Sequence, residues 1–406
     1  MTATMTPEAE ICRRIQSQGA ITLAEFMDVA LFWPRGGYYL SRNPIGPSGD
    51  YYTSPLVHPA FGALLAVQLY QMWLLLDRPN PFTVAEPGAG GGQLCRDILA
   101  AAQQLPAAFG RSLRYVCLDR RMDNGQDSVL INVQGFPSVT RLTSDGIPLR
   151  HLKGCILSNE LLDAFPVHQV TCQQGKLREN YVTLQGDALA IIAGEPSTSR
   201  LATRLSELGI ALAEGQIAEI NLGLEDWASQ GAAALDAGFV LTIDYGHPAQ
   251  ELYSAERRPR GTLVTYYQHV QTDAPLRRIG HQDITAQVDF TSVVNAGRRA
   301  GLQPLGFTTQ GQFLENLGLG DFQRRLASLG LPRQELRASQ AGLAALAGPG
   351  GLGGFKALVQ GKNVGQPELW GFTPADTARE LVEDLPVPML TPRHLRLAGG
   401  GWTQAA

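Results

Sequence analysis

One stretch limits the chain more than any other: Phe82-Thr83-Val84-Ala85-Glu86 running into Pro87-Gly88-Ala89-Gly90-Gly91-Gly92. The first five residues have the pattern of a short buried strand, and the glycines call for a tight backbone turn. Helical spacing follows at once, with Leu94, Ile98, Ala102 and Leu105 on one stripe. The same alternation recurs down the chain. A strand over 113–118 stops at Asp119, one over 154–158 stops at Asn159-Glu160, and one over 238–243 stops at Asp244-Tyr245-Gly246. Strands separated by helical stretches predict an α/β fold around a parallel, doubly wound sheet. Its polar strand ends would line the crevice where such sheets bind ligands.

Residues 8–34 read as two helices, the second opened by the capping box Thr22-Leu23-Ala24-Glu25. The segment 38–59 is loop-like and rich in tyrosine, and 61–76 is an apolar helix interrupted by Gln68 and Gln71. Residues 171–237 are too many for one crossover and predict an insertion with a hairpin over 177–192. Segments 303–309 and 355–360 resemble two late strands flanking a helical stretch over 310–347. The expected division is an N-terminal helical segment over 1–80, the first half of the core over 81–170 and the insertion over 171–237. The remaining core follows over 238–362 and a tail over 363–406, which either embraces the core or is loosely ordered.

At ~150 residues per domain, 406 residues allow two or three domains. A 44% hydrophobic and 17% charged composition excludes general disorder. Lys and Arg number 33 against 37 Asp and Glu, and the resulting net charge of −4 argues against a nucleic acid or anionic membrane partner. The apolar run over 64–76 is too short to span a bilayer. The N-terminus carries Glu8 and Glu10 without an apolar signal core. Five cysteines with no close pair exclude a disulfide framework and a CxxC metal knuckle. The expectation is a cytoplasmic protein with no metal and no membrane insertion.

Glycines at 88, 90 and 92 let backbone amides approach a ligand, and the helix N-terminus beyond them favours negative charge. Asp119, ending the next strand, is placed to bind ribose hydroxyls. The spacing departs from the dinucleotide pattern and, with Glu86 before the first glycine, looks like the S-adenosylmethionine site of class I methyltransferases. A second signal runs from Ser158 to His168, where Glu160 and Asp163, three residues apart, are expected to share a helical face and orient a cationic acceptor. The plainer alternative is a helix-capping acid and a solvated aspartate. The loop Gly49-Asp50-Tyr51-Tyr52-Thr53-Ser54-Pro55 and the strand end Asp244-Tyr245-Gly246-His247 are further candidates.

Together these motifs resemble the MidA-like methyltransferases from about residue 10 to residue 362. Gly36-Gly37-Tyr38-Tyr39, the 49–55 loop and Phe61-Gly62 are similar to that family's opening signature. Glu86 to Gly92 resembles its cofactor turn, and Ser158 to His168 matches its most specific motif. Asp244-Tyr245-Gly246-His247, Arg260-Gly261-Thr262-Leu263, the 283–290 stretch, Gln312 to Gly318 and Phe355 to Gly361 follow in the family's order. The resemblance implies a class I Rossmann-like fold and methyl transfer from S-adenosylmethionine to an arginine of a protein partner, by family a respiratory complex subunit; it admits a homodimer. It carries cofactor binding onto Thr53, Ser54, Glu86, Gly88, Ala89, Gly90, Asp119 and Asn159. Catalysis falls to Glu160, Asp163 and His247, with Asp50 and Asp244 behind them. The chain departs from the family at Pro87, Ala89 and Gly91, at Leu56 where relatives carry glutamate, and over 120–127, a poor helix. These departures keep two alternatives open: an assembly protein with the fold but weakened catalysis, and a small-molecule methyltransferase.

Overall fold

The computed structural model describes residues 5–41, 50–121, 139–395 and 397. Gly49 and the part of the 120–127 stretch beyond Arg121 therefore lie outside the described residues. By contacts the chain forms two compact units, each drawn from three separated segments. One comprises 1–51, 161–226 and 245–296; the other comprises 52–160, 227–244 and 297–406. Residues 245–296, which the sequence reading assigns to the core, group with the N-terminal helices and most of the middle stretch.

The second unit is built on a seven-stranded sheet. In chain order its strands are β1 (Phe82–Pro87), β2 (Leu113–Asp119), β3 (Val139–Thr143), β4 (Leu152–Asn159), β5 (Leu235–Asp244), β6 (Gln303–Thr309) and β7 (Lys356–Lys362). Across the sheet they lie β6-β7-β5-β4-β1-β2-β3. Strands β1 to β5 are mutually parallel. β7 is antiparallel to both β5 and β6, so it alone is reversed. The expected parallel sheet thus holds for six strands and is corrected at the seventh. Thr309 at the end of β6 pairs with Lys356 at the start of β7. The helices between them therefore leave and return at the same end of the sheet, which makes a long hairpin rather than a crossover.

β1 is buried along its whole length, as a central parallel strand covered on both faces requires. The helix Ala60–Leu75 packs in the same core and is buried almost throughout. Its two glutamines, which break the apolar run in the sequence, are satisfied by the tail. Gln68 Oε1 accepts from Gly371 N at 2.9 Å, Gln71 Oε1 from Trp370 N at 2.9 Å, and Gln71 Nε2 donates to Glu368 O at 2.9 Å. Leu369, Ala378, Val382 and Leu385 complete the core. The described part of the tail is the embrace, not a loose end.

The first unit holds the N-terminal helices Pro7–Gln18 and Leu23–Phe32, the second opened by the predicted Thr22–Glu25 capping box. They pack with an antiparallel sheet in which Ile21–Thr22, Lys176–Gln185, His168–Gln173 and Ile217–Ile220 are successive neighbours. Ala188–Gly194 pairs with the other side of Lys176–Gln185, forming the hairpin expected over 177–192. A three-stranded sheet of Val264–Tyr267, Val270–Thr272 and Asp283–Thr285 completes the unit. Among the described residues no helix is long and apolar enough to cross a membrane.

Candidate active site

The C-terminal ends of β1, β2, β4 and β5 gather the polar residues of the sheet unit. β1 lies between β2 and β4, the point at which the strand order reverses and an α/β sheet opens a crevice. Beyond β1 the chain turns through Gly88 (φ 74°), Gly90 (φ 51°) and Gly92 (φ 76°), left-handed conformations that disfavour side chains. Gly88 N and Ala89 N donate to Leu118 O at 2.8 and 3.2 Å, stitching the turn to the end of β2. The helix Gln93–Ala102 then starts from Gly92 without a side-chain cap, so its first amides have no capping side chain.

Asp119 closes the turn from the neighbouring strand. Its Oδ2 accepts from Gly90 N at 2.8 Å and its Oδ1 from Arg121 N at 3.0 Å. A carboxylate has about four acceptor positions, so capacity for ribose hydroxyls remains after both bonds. Arg141, on β3, donates to Gly90 O at 2.9 Å from the other side. Glu86 is buried and accepts the Tyr115 hydroxyl at 2.6 Å. Burial pushes its carboxyl up to about 8, with the Asp119 charge adding to the rise and Tyr115 opposing it. Glu86 is therefore mostly protonated at neutral pH.

At the end of β4, Glu160 takes φ 51° and its amide donates to Ile243 O at 2.8 Å. Only a three-residue 3-10 turn, Leu162–Ala164, follows. The helical face expected to join Glu160 and Asp163 does not form, because the left-handed residue ends the strand without starting a helix. Glu160 is instead held by other neighbours. Its Oε1 accepts from Asn159 Nδ2 and from Ser54 N, both at 2.9 Å. Ser54 Oγ donates to Gln310 Oε1 at 3.0 Å, which fixes the Thr53-Ser54 corner in turn. Asn159 Oδ1 and Ser158 Oγ are buried without a hydrogen-bond partner. Buried polar atoms left without partners beside a capless helix start and an open glycine turn are what a polar adenosyl ligand would satisfy, so the residues fit that cofactor. Asp244 ends β5, fully buried.

Asp163 and His247 belong to the first unit. Burial raises the Asp163 carboxyl to about 6 against the pull of the Tyr245 hydroxyl. Asp50 accepts from Tyr38 Oη at 2.7 Å, and Asp283, raised to about 8 by burial and the Asp163 charge, accepts from Tyr39 Oη at 2.8 Å. His247 has Nδ1 at 3.0 Å from Glu251 and Nε2 at 2.6 Å from Arg258, so both ring nitrogens are engaged. Leu56, one of the departures from the family pattern expected from the sequence, packs on the core of the sheet unit, and its carbonyl accepts from Leu395 N at 2.8 Å.

Sequence reasoning missed Tyr115, Arg141 and Gln310 as members of the sheet-unit network. The alternation of β2 could have flagged Tyr115 as an inward hydroxyl two residues before Cys117. Nothing local to 141 or 310 marks a partner fifty or more residues away.

A seven-stranded sheet with one reversed strand, a glycine turn after its first strand and an acid ending its second is an arrangement in which an α/β sheet can hold a nucleoside ligand at its switch point. The chain belongs to the family of S-adenosyl-L-methionine-dependent methyltransferases, which it matches over residues 64–308. It is 29% identical over 327 residues to the mitochondrial protein arginine methyltransferase NDUFAF7 homolog of Drosophila melanogaster, covering 75% of this chain and 73% of the relative. The NDUFAF7 protein of Homo sapiens, named likewise, is 27% identical over 75% of this chain and 72% of its own. A crystal structure from Burkholderia thailandensis bound to S-adenosyl-homocysteine superposes with a TM-score of 0.80 at 28% identity, over 90% of this chain and 94% of that one. S-adenosylmethionine is accordingly the cofactor of this enzyme. The cytoplasmic expectation is corrected by these relatives, whose names place them in mitochondria. The five cysteines are all free, which suits any reducing compartment and does not single out the cytoplasm.

Proposed function

We propose that the enzyme methylates an arginine of a protein partner, with Glu160 as the residue that orients the guanidinium. The observation that carries this reading is the fixing of the Glu160 carboxylate by Asn159 and Ser54 at the end of the central strand. A planar guanidinium is recognised best by a carboxylate whose rotamer is already set. The names of the relatives support the acceptor class.

S-adenosylmethionine supplies the methyl group already activated as a sulfonium, so the protein's task is alignment and exclusion of water. Thr53 and Ser54, the turn Gly88-Ala89-Gly90, Glu86, Asp119 and Asn159 would hold it. Asp119 would accept from ribose hydroxyls, and Glu86 would face the methionine portion. The guanidinium loses a proton as its nitrogen takes the methyl. Of the two bases expected from the sequence, Asp163 has its carboxyl raised to about 6 by burial, whereas the ring nitrogens of His247 are engaged by Glu251 and Arg258. We assign His247 the lesser part. The acceptor to test first is a respiratory complex subunit, and a homodimer is the assembly we infer.

The test is incubation with S-adenosylmethionine carrying a deuterated methyl group and a cell extract as acceptor, followed by complete hydrolysis and mass spectrometry. Labelled methylarginine with the wild type and none with Glu160→Gln supports the reading. Label on lysine alone, or only on small molecules, overturns it.

A further inference from the structure

The hairpin of the first unit ends in a strand that violates the usual protection of sheet edges. Ala188–Gly194 reads ALAIIAG: seven residues with no charge and no proline. It pairs with Lys176–Gln185 on one side, and among the described residues no strand pairs with its other side. Ile191 and Ile192 are 43% and 39% exposed, two of the few large apolar side chains left exposed among the described residues. Edges of this kind are normally shortened, charged or covered, because they template pairing with another chain.

The backbone fixes which groups face outward. The loop is the two residues Gly186-Asp187, with Gly186 at φ 63°, and Gln185 pairs with Ala188. In a two-residue hairpin the closing pair exchanges hydrogen bonds, and bonded pairs then alternate along the ladder. Residues 188, 190, 192 and 194 therefore bond inward. Leu189, Ile191 and Ala193 direct their N–H and C=O groups to the open edge.

We propose that this edge pairs antiparallel with the same strand of a second copy, about a two-fold axis at Ile191. That register sets Ile191 opposite its own copy and Leu189 opposite Ala193, so the three outward residues meet the three outward residues of the partner. Such self-complementarity is the signature of an isologous dimer. The side chains agree with it. Ile191 pairs with Val182 and Leu189 with Leu184, on the face that packs against the N-terminal helices. The second copy thus continues that apolar face beyond the edge. Charge opposes the pairing at its two ends, where Asp187 falls opposite Glu195 of the copy, and the Arg178 ion pair with Glu195 moderates that repulsion.

A single strand pair is a small interface, so the dimer is expected at concentrations of ~10 µM and above. Sedimentation equilibrium on the full-length protein should give twice the chain mass there, and Ile191→Lys should give the single-chain mass. Val270→Lys, at an apolar site 59% exposed elsewhere, should leave the dimer intact. Under mild oxidation Ile191→Cys should cross-link to itself, since bonded antiparallel partners lie ~5.5 Å apart at Cα, within disulfide reach. Ile192→Cys, which faces Ala190 of the copy, should not. A single-chain mass for the wild type at 100 µM overturns the proposal. So does a dimer indifferent to Ile191→Lys, or one cross-linked through 192 rather than 191.

Discussion

Glu86 couples the cofactor site to pH. Its carboxyl is raised to about 8 mainly by burial, so near neutrality it is protonated and bonded to Tyr115. A cationic methionine ammonium favours the ionised form. Cofactor binding should then release a proton near pH 7 and tighten as pH rises toward 8. Calorimetry in buffers of different ionisation enthalpy reads that proton directly, and Glu86→Gln should abolish both effects. Glu160 is expected to behave differently. Glu160→Gln keeps the shape but not the charge, and should lower kcat by ~10²-fold or more while leaving cofactor affinity within a few-fold. A variant that loses cofactor binding instead would place Glu160 in the cofactor site. The positions of Glu86, Asp119, Asn159 and Glu160 at or beside strand ends were legible in the sequence. The partners that set their state were not: Tyr115 lies 29 residues from Glu86 and Ser54 lies 106 from Glu160.

At the scale of elements, the glycine turn and the tail carry the account. Gly90 at φ 51° lends its amide to Asp119, and valine there is strained by its branched Cβ. Six of the seven strands were readable from their apolar runs, and 303–309 was read to the residue, whereas β3, Val139–Thr143, has no buried residue and was not foreseen. The reversal of β7 was not, since direction depends on where a helical connection returns and its composition does not record that. The embrace by the tail was hidden for a similar reason. Gln68 and Gln71 look like interruptions of an apolar helix until Glu368, Trp370 and Gly371 are seen to meet them. Replacing Gln68 by leucine should strand the buried Gly371 amide and cost about 1–3 kcal/mol of unfolding free energy in urea titration. Leu369→Ala should cost about 2–5 kcal/mol by opening a cavity. Unchanged midpoints in both would show that the tail is not part of the core.

At the scale of the whole molecule, two buried carboxyls, one in each unit, share a pH trend. Glu86 and Asp283 are both raised to about 8, from ordinary values of 4.5 and 3.8. Folding holds the protonated forms, so this stability is complete below those ordinary values and is lost as pH rises through about 8. Tm should fall from pH 5 to pH 9, and the double variant Glu86→Gln, Asp283→Asn should flatten the fall. A Tm that climbs over that range would contradict the assignment. The division into two interleaved units was the least legible feature, because no shift of composition marks residues 160 or 244, where the chain leaves one unit for the other.

The central claim is that the strand ends and glycine turn of the sheet unit hold S-adenosylmethionine, and calorimetric titration of the full-length protein tests it most directly. One saturable site is expected, weakened ~100-fold or more in a folded Gly90→Val variant. Equal binding by that variant, or no binding by the folded wild type, would contradict it.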